Sequence, residues 1–123
     1  MASTTFSGPV TSLNGFIGNV TGNITGDVTA SAQSLSGAGA VNVTDMFTSL
    51  TTTGSAQALT LANGTAGQMK IITHTVDGGS AVLTPTTKIG FSTITFTAVG
   101  DSVSLIYTAA GWAVVGSFGA AVA

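Results

Sequence analysis

The sequence predicts an all-β fold: a small antiparallel β-meander, sandwich-like, carried on an extended N-terminal arm. Three observations lead there. Between Ala56 and Phe118 apolar residues alternate with polar ones, so Ile94, Phe96 and Ala98 share one face of 93–99, and Val103, Leu105 and Tyr107 share one face of 102–107. A period of two marks a strand, because successive side chains point to opposite sides of a sheet. Turn chemistry punctuates the same stretch at Asn63-Gly64, Asp77-Gly78-Gly79, Gly100-Asp101 and Ala110-Gly111, where glycine supplies the positive φ of tight turns. Ahead of it lies a tetrapeptide repeat, whose period fits no helix of 3.6 residues per turn.

Residues 1–29 read as the arm. Its first part is polar, with sparse apolar anchors at Phe6, Val10, Leu13, Phe16 and Ile17. Pro9 fixes φ and lacks a donor, which suits an extended edge segment. A polar terminus is by default a loose tail, but Phe6 and Phe16 are spaced like plugs for separate pockets on a partner. Then come Gly18-Asn19-Val20-Thr21, Gly22-Asn23-Ile24-Thr25 and Gly26-Asp27-Val28-Thr29. Glycine every fourth residue would cost a helix about 1 kcal/mol per site. In an extended chain Val20, Ile24 and Val28 share one face with the glycines, which lets a neighbouring backbone come close. One chain cannot bury so narrow a stripe; several chains around an axis, or one chain laid on another protein, can. The plainer alternative is a low-complexity linker.

Residues 30–40 are small and featureless, a linker by composition. The β-rich domain is expected over 41–123. Val41-Asn42-Val43-Thr44 alternates like a short strand. In 45–54, Asp45 would suit a helix cap, but the threonine run favours a strand. Further strands are expected near 57–62, 68–76, 80–85, 92–99, 102–108 and 112–118, with the packed core beginning at Ala56.

Composition narrows the function classes. The chain has 123 residues, and only 5% are charged, against about 25% in ordinary soluble domains. A surface this uncharged is poorly protected against association. Either threonine and serine hydroxyls solvate it, or other protein covers much of it; the second reading is preferred. Two lysines and no arginine leave no basic footprint for nucleic acid. With no cysteine there is neither a disulfide nor a thiolate ligand, and a small bridge-free domain gains stability by oligomerising. Residues 1–6 offer neither the basic nor the apolar region of a leader. The charge-free 102–123 contains three glycines and its first part alternates as a strand, so no membrane span is expected.

No constellation points to catalysis, a cofactor or a metal. His74 is the only histidine and lacks a second imidazole or a thiolate for a metal site. It reads as a strand histidine paired with a hydroxyl or carbonyl. No serine lies in a Gly-x-Ser-x-Gly elbow, no phosphate-binding glycine loop occurs, and the four aspartates fall at turns or in the arm. Tyr107 and Trp112 face each other across a predicted turn. They read as a packed cross-strand pair, with an exposed carbohydrate platform as the alternative. Phe91, Phe96 and Phe118 are expected in the core or at a subunit interface.

Phe6-Ser7-Gly8-Pro9-Val10, Asn14-Gly15-Phe16, the tetrads of 18–29, the run Leu59 to Gln68, Gly100-Asp101-Ser102-Val103 and Trp112 together resemble short structural proteins of tailed bacteriophages. Similar stretches occur in capsid decoration (cement) proteins and in tail-fibre segments. The resemblance implies a β-rich body with an extended arm, trimers on the outer surface of the capsid, and no catalytic residues or cofactors. The expected partners are the chain itself, as a homotrimer, and the major capsid protein, with no nucleic acid and no membrane. Phe6, Pro9, Val10, Phe16, Ile17, Val20 and Ile24 are the expected partner contacts of the arm. Ile94, Phe96, Leu105, Tyr107, Trp112 and Phe118 are expected in trimer or core packing. The rival function is a fibre or spike module that recognises host surface glycan. A third is a bacterial surface or filament subunit, which would self-assemble into open polymers.

Overall fold

The structure, a computed structural model, describes residues 5, 7–14, 17–18 and 21–123. Ten strands follow one another, with no helix among the described residues: β1 (Ala32–Ser36), β2 (Gly39–Val41), β3 (Phe47–Thr51), β4 (Gln57–Leu61), β5 (Met69–Val76), β6 (Ala81–Pro85), β7 (Ile94–Phe96), β8 (Ser102–Thr108), β9 (Gly111–Phe118) and β10 (Ala121–Val122). They form two five-stranded sheets, β1-β3-β5-β8-β9 and β10-β7-β6-β4-β2.

The all-β expectation stands, and β4 to β9 lie close to the expected strands, although β7 is shorter than 92–99 and β10 was not expected. The connectivity differs from a meander. Through the first six strands the chain alternates between the sheets. Odd strands pair in parallel in one, with Phe47 beside Ala32 and Ile71 beside Phe47. Even strands pair in parallel in the other, with Leu59 between Gly39 and Leu83. The result is three turns of a parallel coil. Only the last strands are antiparallel: β8 on β5, β9 on β8, β7 on β6 and β10 on β7. Of the expected turn glycines, Gly79, Gly100 and Gly111 take positive φ, whereas between β4 and β5 the positive φ falls at Gly67 rather than Gly64. A glycine bend, however, carries the chain to the facing sheet as readily as back along the same one.

Two boundaries move. Residues 30–40 are not a linker, because β1 and most of β2 lie there and make the first turn of the coil. The core also starts before Ala56: Val41 and Leu50 are fully buried beside Leu59, Leu61, Ile72, Leu83, Ile94, Phe96, Leu105 and Trp112. This single cluster fills the space between the sheets. The strands before Ala56 are needed because each turn of a coil buries its apolar face only against its neighbours.

The first turn has an open end, and one side chain closes part of it. Gln33, on β1, donates from Nε2 to the carbonyl of Ala40 (3.0 Å) and accepts at Oε1 from the amide of Asn42 (3.0 Å) and the hydroxyl of Thr48 (2.9 Å). It makes, for β2 and the residue after it, the bonds that a further strand would make.

Candidate assembly surfaces

The arm is the first. Its described residues are all exposed: Val10 by 49%, Ile17 fully, Ile24 by 62% and Val28 by 76%. Its repeat has a matching backbone. Gly18, Gly22 and Gly26 have φ of 121°, 122° and 121°, a region essentially closed to other residues. A side chain placed at any of the three would touch nothing within 4 Å. The strain that glycine avoids here is therefore conformational, not steric crowding. Of the expected arm contacts, Pro9, Val10, Ile17 and Ile24 are exposed; Phe6, Phe16 and Val20 lie outside the described residues.

Where the arm joins the body there is a groove of about 540 Å³. Val28 and the three residues after it form one wall. The loop between β2 and β3, through Val43 and Met46, and the start of β5, at Gln68 and Met69, form the rest. Met46 and Met69 are 43% and 41% exposed, and no charged residue lines the groove. The nearby charges are occupied: Lys70 Nζ donates to the carbonyl of Asp45 (2.7 Å), and Asn42 Nδ2 to the carboxylate of Asp45 (2.8 Å). Neither methionine stood out in the sequence. They meet only because the coil brings residues far apart in the chain to one end of the sheet.

The second surface lies at the last strands. Ile89, Phe91, Ala113, Val114 and Val122 line a smaller apolar hollow of about 270 Å³. Of the residues expected in trimer or core packing, Ile94, Phe96, Leu105 and Trp112 are fully buried. Tyr107 is half-buried against that core. Phe118 is 76% exposed, on the same strand as Val115, which is 62% exposed; it is not a core residue of this chain.

The polar clusters serve the fold. The ring of Trp112 meets Tyr107 edge-on across the β8–β9 pair, centroids 5.1 Å apart, and its Nε1 donates to the carbonyl of Ala62 (2.8 Å). With the indole fully buried, this pair offers no flat face for a sugar. Buried His74 has Nε2 2.9 Å from the hydroxyl of Thr52, which also accepts from the amide of Gly78 (2.9 Å). Asp101 accepts the amides of Thr97 (2.7 Å) and Ala98 (3.0 Å). These bonds hold its carboxyl below the usual carboxylate range, assisted by the nearby His74. Among the described residues no three histidine, cysteine or acidic side chains gather as a metal site.

Compared with protein-family models and with curated proteins, the chain matches none of either.

Proposed function

We propose that this chain is a structural protein of a tailed-bacteriophage particle, a decoration protein that binds the outer surface of the head as a homotrimer and stabilises neighbouring capsid subunits without catalysis. One observation carries the reading. A regularly repeating arm, with Asp27 its one charged side chain, stands exposed along its described length on a β-rich body. Such an arm is suited to clamping: it offers apolar residues at a fixed spacing and an extended backbone that can add to an open edge. Many copies acting together turn weak contacts into a strong hold by avidity. Buried Thr52, Lys70 and Asp101 each bond backbone groups of the body's loops and turns, which fits a mechanical role better than a chemical one. The resemblance of the 6–16 segment and the tetrads to phage structural proteins supplies the setting.

Copy number tests it. Quantitative mass spectrometry of purified particles should find hundreds of copies, and shells lacking the protein should fail sooner under heat and osmotic shock. A handful of copies, or shells equally robust without it, overturns the decoration reading.

The recurrent glycine conformation in the arm favours one second reading, a short fibre or spike. Three tetrads span at most roughly 40 Å at about 3.3 Å per residue. Its glycan contact would have to come from groups other than Trp112.

A further inference from the structure

We propose that Asn63-Gly64 is a self-acting modification site, where the asparagine converts to aspartate or isoaspartate and the isoaspartate form loosens the seat of Trp112. The proposal concerns the body alone and is independent of the assembly reading above.

Asn63 lies exposed in the connection between β4 and β5. An Asn-Gly pair commonly closes a tight hairpin, which needs positive φ at both residues. Here the chain crosses from one sheet to the other instead, and neither residue has positive φ. No tight turn therefore locks the pair. Among the described residues, none hydrogen-bonds the Asn63 side chain or the Gly64 amide. The two groups that must meet are both unengaged, and Gly64 has no Cβ to obstruct their meeting. Other asparagines are shielded. Asn42 is held at both ends of its side chain, Nδ2 donating to the carboxylate of Asp45 (2.8 Å) and Oδ1 accepting its backbone amide (3.0 Å). Asn23 is exposed, but Ile24 follows it, and a β-branched side chain crowds the nitrogen that would attack.

The step balances without any added reagent but water. The Gly64 nitrogen forms a bond to Asn63 Cγ, the Cγ–Nδ2 bond breaks, and the Gly64 amide proton leaves with Nδ2 as ammonia. Nucleophile and carbonyl sit on adjacent residues, so the reaction is intramolecular and needs no enzyme. Water then opens the cyclic imide at either carbonyl. One opening gives aspartate. The other gives isoaspartate, whose main chain runs through Cβ and Cγ and is one carbon longer.

What the longer chain disturbs follows from its neighbours. On one side, the carbonyl of Ala62 accepts Trp112 Nε1 (2.8 Å). On the other, Gly64 packs so closely that a Cβ there would lie 3.1 Å from the Trp112 ring and 2.6 Å from Gln68 Oε1. Residues 62 and 64 both hold the indole, and the extra carbon enters between them. Isoaspartate at 63 pushes one of them off the ring, so the buried indole loses its hydrogen-bond acceptor or its packing. Aspartate leaves the main chain, and both contacts, as they are.

Peptide mass spectrometry tests the site. The full-length chain carries Asn14→Gln, which silences the Asn14-Gly15 pair of the arm, and is held for days at mildly alkaline pH. The peptide spanning Asn63 should gain about 1 Da, an amide NH2 exchanged for a hydroxyl. It should do so roughly tenfold or more faster than the peptide spanning Asn42. Asn63→Gln, whose side chain is too long to close the same ring, should abolish the gain. No gain at Asn63, or one no faster than at Asn42, overturns the site. Trp112 is the only tryptophan, so its fluorescence reads the consequence. Emission should shift to the red in step with the isoaspartate content, which fragmentation spectra distinguish from aspartate, and should stay in place in Asn63→Asp. Unchanged emission at full conversion, or an equal shift in Asn63→Asp, overturns the role given to isoaspartate.

Discussion

His74 and Thr52 meet inside the protein, ring nitrogen to hydroxyl at 2.9 Å, and the same hydroxyl receives the amide of Gly78. One oxygen thus ties the end of β3, the middle of β5 and the turn into β6. Thr52→Val keeps the shape and removes that oxygen, leaving the imidazole and an amide without their partner. A buried group stripped of its partner costs about 1–3 kcal/mol. Urea unfolding should show a loss in that range at pH 7. An unchanged midpoint would mean that the hydroxyl contributes nothing net.

Lys70 gives stability an alkaline dependence. Its side chain is fully buried on β5. Burial lowers its pKa from 10.5 to about 8, partly opposed by the charge of Asp45. The folded chain therefore releases this proton at a lower pH than the unfolded chain does. Between about 8 and 10.5 the unfolded state binds more protons, so stability rises with pH in that window. Chemical denaturation at pH 7.5, 9 and 10 should show the rise, and Lys70→Met should flatten it.

Asp101 acts at the opposite end of the scale. Its carboxylate holds the amides of Thr97 and Ala98 at the turn between β7 and β8. Its pKa is lowered from 3.8, so its contribution is complete above that value and is lost as pH falls through the lower folded pKa. Asp101→Asn should cost about 1–3 kcal/mol at pH 7, the range for charged hydrogen bonds. The difference from wild type should shrink as pH falls below 3.8, read by thermal melts across acid pH.

Gln33 predicts behaviour in assembly as well as stability. Gln33→Leu removes its bonds to Ala40, Asn42 and Thr48 and bares those backbone groups at the edge. A loss of about 1 kcal/mol is expected. Concentration-dependent association beyond the wild-type oligomer should accompany it, because an unpaired strand edge recruits other chains. Light scattering reads the second effect. A variant that is destabilised without associating would make Gln33 an internal brace only.

The positions of most strands were legible in the sequence because alternation and turn glycines are local signals, written within a few residues. The described residues of the tetrads likewise lie outside the strands, ahead of β1. Which strands pair was not legible. Asn63-Gly64 has hairpin chemistry, yet β4 and β5 lie in different sheets. The turns of the coil differ in length, so no internal repeat betrays them. Residues 30–40 look like a linker because their side chains are small, and a small-residue strand becomes a strand only when a neighbour supplies its hydrogen bonds. The groove was hidden for the same reason: Val28, Met46 and Met69 share no local pattern.

By itself, then, the sequence determined an all-β chain with a glycine-spaced arm and a surface nearly without charge, since period, propensity and composition act over short distances. Only the tertiary structure decided that consecutive strands stack as a parallel coil, that Trp112 and His74 are buried, and that the root of the arm frames a groove. Those outcomes depend on contacts between residues far apart in the chain, where packing and the satisfaction of backbone hydrogen bonds decide which faces turn inward.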